Sequence, residues 1–90
     1  MPSVDDQATG RARLRDLHEA FRERERADCA LRKAVTRLID HPDTEDLQGE
    51  AVGALMREKV SRIRFATALK VIGWPVPDSL LDDIPAEQRP

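Results

Sequence analysis

An all-α fold follows from three observations on this 90-residue chain. Aromatic residues are scarce, with one Trp, two Phe and no Tyr, so the core must be aliphatic and rich in alanine, which favours helix packed on helix. No segment keeps a period-2 alternation of apolar and polar residues, and β-branched residues are scattered. Apolar residues instead recur at three- and four-residue spacing in runs bounded by proline and glycine. The expected architecture is a long N-terminal helix packed on a compact module of the helix-turn-helix or helix-two-turns-helix kind.

Residues 1–10 are polar and lack apolar spacing, so they read as a flexible arm in which Thr9 can cap the helix that follows. Residues 11–40 read as one long helix. Leu14, Leu17, Phe21, Leu31, Val35 and Leu38 fall on heptad positions, and the same frame puts Arg24 and Asp28 in the middle of the stripe, spaced to pair at i,i+4. Asp40 to Thr44 ends this helix, because Pro42 cannot continue it and Asp43 or Thr44 can cap the next.

The spacing predicts a second helix over 44–57, with Leu47, Ala51, Val52, Leu55 and Met56 inward. A third is predicted over 62–72, where Phe65, Ala68, Leu69 and Ile72 share one face. Between them lies a basic turn with Ser61 at the N-cap position. Gly73 is placed to close the third helix, Trp74 to fold back over it, and Pro75 and Pro77 to bar further helix. Asp78 can open a short turn through Leu80 and Leu81, and residues 85–90 read as a loose tail. The chain is thus one domain over 11–84.

The net charge of −2 conceals an alternation. Residues 11–39 carry nine cations and five anions, and residues 57–74 carry five cations against Glu58, while 40–56 and 75–90 are acidic. A helix start flanked by cations offers a phosphate free N–H groups, the helix dipole and side-chain charge together. Lys59, Ser61, Arg62 and Arg64 are therefore the candidate nucleic-acid-binding residues, supported by Lys70 and by Arg22 and Arg26 of the long helix. The competing reading makes them ordinary exposed cations of a charge-rich chain.

Little points to catalysis. His18, His41 and Cys29 have no ligand spacing, and no nucleophile elbow, phosphate loop or paired carboxylate is visible. His18 reads as a helix-surface residue, His41 as a partner of the last helical carbonyls and Cys29 as a small packing residue. Neither metal, cofactor nor small-molecule substrate is expected, and no enzymatic activity. Helical chorismate mutases also begin with a long helix, but their leucine-arginine and isoleucine-aspartate pattern is missing. With no membrane-spanning run and no signal-peptide pattern, a cytoplasmic location is expected.

From about Leu31 to Gln88 the chain resembles the actinobacterial type of integration host factor, a small nucleoid-associated protein. Val52-Gly53-Ala54-Leu55-Met56-Arg57 resembles that family's Val-Ser-Ala-Leu-Leu-Glu helix end. Val60-Ser61-Arg62-Ile63-Arg64 resembles its Val-Gly-Lys-Val-Arg turn, and Leu69 to Trp74 its Leu-Gly-Ile closure. Asp46-Leu47-Gln48-Gly49 resembles its Asp-Val-Ile-Gly, and Arg24 to Ala27 its arginine-rich first helix. The resemblance implies a helix-two-turns-helix module that binds double-stranded DNA with low sequence specificity, bending or compacting it, in association with the nucleoid. It also places Lys59, Ser61, Arg62 and Arg64 in the contact region.

Two departures support a different function on the same fold. Lys59 and Ser61 stand where the family has turn glycines, and Ser79 to Pro85 is acidic where the family is basic. The alternative is a protein-protein interaction module that has lost DNA binding and docks a partner, or a second copy, through the seam Leu14, Leu17 and Phe21.

Overall fold

The computed structural model describes residues 4–90, with side chains described from Ala8 onward. It is all-helical, as expected: two helices, α1 (Val4–Asp40) and α2 (Glu45–Ile72), form an antiparallel hairpin. Two 3₁₀ turns follow, Asp78–Leu80 and Ala86–Gln88. Met1, Pro2 and Ser3, part of the expected arm, lie outside the described residues. The rest of that arm, from Val4 to Gly10, is helical, so Thr9 sits inside α1 rather than capping it.

The hairpin turns where the sequence breaks. His41 donates its N–H to Arg37 O at 3.0 Å, and Gln48 reaches back with Nε2 to Pro42 O at 2.9 Å. Thr44 occupies the N-cap position in extended conformation, but its side chain makes no capping bond; Glu45 and Asp46 supply negative charge to the first turn instead. At the far end Gly73 adopts φ +86°, and a Schellman pair closes α2: Gly73 N–H to Lys70 O and Trp74 N–H to Leu69 O, both at 3.0 Å.

The main difference from the sequence reading lies between. α2 runs unbroken from Glu45 to Ile72, so residues 57–62 form no turn, Ser61 caps no helix, and the second and third helices are one. Gly53 and Gly73 are the nearest backbone breakers, and between them nothing forces the chain out of the helix. Ser61 is buried and donates Oγ to Glu58 O at 2.6 Å, the back-bond of a serine inside a helix.

Small residues make the inter-helix seam. Ala20, Ala27 and Ala34 stand seven apart on α1, and Ala54, Ser61 and Ala68 seven apart on α2. All but Ala27, which is half-buried, are buried. Ala34, Ala51 and Ala54 form the central cluster, with Leu31 and Leu38 packed against it. Alternation of small and larger residues at 3–4 spacing lets two antiparallel helices approach closely. The expected stripes hold in part: Leu31 and Leu38 pack on the central cluster and Leu47, Ala51, Ala68 and Leu69 are buried, whereas Leu14, Phe21 and Val35 lie beside the seam and are exposed, as are Val52, Leu55 and Met56, which were expected to point inward.

The core is thin. Among the described residues no large side chain is fully buried. The molecule measures 62 × 24 × 15 Å with a radius of gyration of 16.7 Å, where a compact chain of this length has about 12 Å.

After Pro77 the chain folds back on α2. Leu80 and Ile84 are buried, as is Ala66 on α2. Arg89 donates Nε to Ile84 O at 3.0 Å and Nη2 to Leu81 O at 2.9 Å. Residues 85–90, expected to be loose, thus contain a 3₁₀ turn and a hydrogen-bonded arginine.

The basic cluster and two apolar faces as candidate interaction sites

Of the cations singled out by the sequence, Lys59, Arg62 and Arg64 lie within six residues on α2, and all three are spent on the protein's own anions. Arg62 is the most enclosed. Its Nη1 lies 2.5 Å from Asp83 Oδ1 and its Nη2 3.0 Å from Oδ2, a bidentate pair, and Nη1 also donates to Leu80 O at 3.3 Å. Nε faces Glu58 Oε1 at 2.7 Å, placed as an ion contact rather than a hydrogen bond. Hydrogen bonding to Asp83 raises the Arg62 pKa against the opposing effect of burial, and the same bond holds the Asp83 carboxyl down at about 2.

Arg64 points the other way, to α1. It pairs with Glu23, and its Nη2 stands 3.5 Å from Asp16. Its pKa is raised, first by the hydrogen bond to Glu23. Lys59 Nζ lies 3.9 Å from Asp83. With Ser61 buried inside a helix, the arrangement drawn from sequence, a helix N-terminus ringed by free cations, does not form. Every N–H that would have met a phosphate lies within a helix whose previous turn supplies the acceptor. Lys70, Arg22 and Arg26 are exposed and make no ion pair among the described residues.

Arg24 and Asp28, expected to pair, do not. Asp28 pairs with Arg32 at 2.9 Å, while the Arg24 guanidinium sits 5.8 Å from the centroid of the Phe65 ring. Phe65 meets Phe21 at 5.8 Å between centroids. Cys29, read as a packing residue, is exposed on the outside of α1. No group of three or more His, Cys, Asp or Glu among the described residues is placed to hold a metal ion. Among the described residues no helix is long and apolar enough to cross a membrane.

Two apolar surfaces remain uncovered. The first is a shallow groove of about 250 Å³ near the open end of the hairpin, between Leu14, Leu17 and Phe21 on α1 and Phe65, Leu69 and Trp74 on the other side. Trp74 is half exposed there and does not close the core as expected. The seam proposed from sequence is one wall of this groove.

The second surface was not read from the sequence. α2 carries apolar residues around most of its circumference. α1 covers one side, and the C-terminal segment covers part of another at Arg62 and Ala66. The side turned away from α1 presents Gly49, Val52, Gly53, Met56 and Val60 to solvent, and Val52, Met56 and Val60 are about 60% exposed. Met56 and Val60 also line a groove of about 500 Å³ between the helices, together with Ala27, Ala30 and Ser61, the cations Arg26 and Arg57, and the Glu23–Arg64 pair. A helix apolar all round is normally buried all round.

The glycines on this side have no use within the hairpin. A Cβ built on Gly49 meets nothing within 4 Å, and one on Gly53 meets only the Arg57 guanidinium at 3.6 Å. Mid-helix glycine costs about 0.5–1 kcal/mol relative to alanine. The available signal was the Gly49–Gly53 spacing followed by Met56 and Val60; of these residues Met56 was expected to face inward and Val60 to belong to the turn.

Comparison with known proteins finds no match: no family model, no curated protein and no solved structure is similar to this chain.

Proposed function

We propose that this protein is a helical protein-protein association module, a hairpin that binds other helices through its exposed apolar sides. One observation carries the reading: an alanine seam with no fully buried large side chain stands beside ten large apolar residues left exposed, from Leu14 to Trp74. Contiguous apolar surface on a small chain is the usual mark of an association surface. Small domains with so little core gain much of their stability from association.

Photo-crosslinking in the source cells tests it. A photoreactive residue is placed at position 21 in the groove, at 60 on the outer side of α2, or at 36 on the polar side of α1. Covalent protein adducts from 21 or 60, and none from 36, are the expected outcome. Equal labelling at all three, or at none, overturns the reading.

Binding of duplex DNA in the nucleoid-associated manner is the second reading. It is supported by the resemblance to integration host factors and by the exposed cations Arg22, Arg26 and Lys70. Its phosphate contacts would come from those side chains rather than from a turn. Fluorescence anisotropy with a random-sequence duplex at two salt concentrations tests it, since the log–log slope is about 0.9 per phosphate neutralised. A slope of about three or more, abolished by Arg22→Glu with Arg26→Glu, supports it. No binding at low salt removes it.

A further inference from the structure

The accessible surface of the chain is 6715 Å², whereas a compact monomer of 10.2 kDa exposes about 5,300 Å². The excess is about 1,400 Å², and a stable dimer of standard size needs about 800 Å² from each partner. The hairpin can therefore bury a full dimer interface and still expose no less than an ordinary small protein.

The outer side of α2 specifies what fits there. At 100° per residue, Gly49, Gly53, Met56 and Val60 fall within about 60° of one another, so they form one narrow strip. Along the strip the order is small, small, large, large. Turned end for end, the order becomes large, large, small, small. An antiparallel copy centred between Ala54 and Leu55 brings Met56 opposite Gly53 and Val60 opposite Gly49, twice by symmetry. The glycines that are idle in the hairpin become the hollows for the large side chains that are exposed in it.

The charges obey the same reversal. α2 begins acidic, at Glu45, Asp46 and Glu50, and turns basic from Arg57 through Lys59 and Arg64. In the antiparallel register Glu50 comes level with Lys59 and Glu45 level with Arg64, so the acidic start of one helix runs alongside the basic half of the other, while Glu50, Lys59 and Arg64 keep their pairs with Arg37, Asp83 and Glu23 within the hairpin. A parallel copy would bring each charge against itself. The C-terminal segment leaves the strip open, since it binds α2 at Arg62 and Ala66.

We propose that the outer side of α2 is the two-fold interface of a homodimer in which two α2 helices pack antiparallel, Met56 and Val60 of each into Gly53 and Gly49 of the other. The proposal rests on the association reading above and names the partner at one of its two surfaces.

Sedimentation equilibrium of the purified chain over a wide concentration range is the first experiment, alongside Met56→Glu and Gly53→Leu. The wild type should dimerise. Met56→Glu should raise the dissociation constant on the order of a hundredfold or more, because each dimer loses two central anchors. Gly53→Leu should do likewise while helicity holds or rises, since leucine is the better helix former; that separates a blocked interface from a damaged fold. A wild type that stays monomeric throughout, or two variants that dimerise like it, overturns the proposal.

Orientation is tested by spin labels at position 45 (Glu45→Cys in a Cys29→Ser background). They should lie about 30 Å apart, because residue 45 of one copy stands level with residue 64 of the other. A separation of about 10 Å would show parallel packing and overturn the arrangement. If the pure chain is monomeric yet the photoreactive residue at 21 or 60 still captures another protein in cells, the second copy fails and the association module stands; if neither position captures anything, the module fails too.

Discussion

Arg62 and Asp83 form a bidentate ion pair across 21 residues of sequence, with the guanidinium nine-tenths enclosed and the carboxylate half exposed. The pair ties the C-terminal segment to the middle of α2. It also decides the fate of the basic cluster, because the most central cation there is occupied by the chain's own acid. The acidic residues after Ser79, notable in the sequence for inverted charge, have a structural use through Asp83.

The tie should be pH-sensitive over a defined window. Asp83 has its pKa lowered from 3.8 to about 2 by Arg62, so between these values the unfolded chain holds more protons than the folded one. The stabilisation is complete above about pH 4 and is lost as pH falls through 2. Amide exchange at Leu80 to Ile84 should accelerate across that window. In Asp83→Asn exchange there should be faster at neutral pH, with the low-pH step reduced.

Removing the buried anchors of the same segment should cost more than breaking its ion pair. Ile84→Ala or Leu80→Ala deletes a side chain buried to within a few per cent, for a loss of about 2–5 kcal/mol in chemical denaturation. The exposed Ile39→Ala, by contrast, should change little.

The alanine seam predicts sensitivity to added volume. Ala54→Leu or Ala20→Leu would push α1 and α2 apart and should lower stability by about 1–3 kcal/mol, although leucine is a good helix former. A neutral or stabilised Ala54→Leu in thermal unfolding would show that the helices do not approach on these residues.

Gly73 is held at φ +86° by the Schellman closure, where a Cβ is strained though the space around it is open. Gly73→Ala should cost about 1–2 kcal/mol and fray the last turn of α2, visible as faster exchange at the Trp74 amide.

Charge reversal at Arg62 and Arg64 together is no clean test of nucleic-acid binding. It would set two glutamates against Asp83, Glu58, Glu23 and Asp16, and the thermal midpoint should fall markedly. Arg22→Glu with Arg26→Glu alters exposed positions without ion pairs among the described residues and should leave the midpoint nearly unchanged. A similar fall in both double variants would argue against the assigned pairs.

Much of the fold was legible in the chain by itself. Aromatic scarcity, 3–4 spacing, the break at Pro42 and the closure at Gly73 determined an all-helical protein with a long first helix, because these signals are local: a proline or an αL glycine acts on its own backbone whatever surrounds it. Three things needed the tertiary structure. Ser61 among cations carries the same side chain whether it caps a helix or back-bonds within one, and packing against α1 and the C-terminal segment decided for the unbroken helix. Which apolar stripe faces inward was settled by close approach, which selects alanine over Leu14, Phe21 and Met56 and turns the larger residues outward. Glu58, four residues behind Arg62 on α2, is a partner the i,i+4 rule reaches, but the other acids on Arg62 and Arg64 lie 21 residues ahead and 41 or 48 behind, and no spacing rule on a single helix reaches across a hairpin to find them.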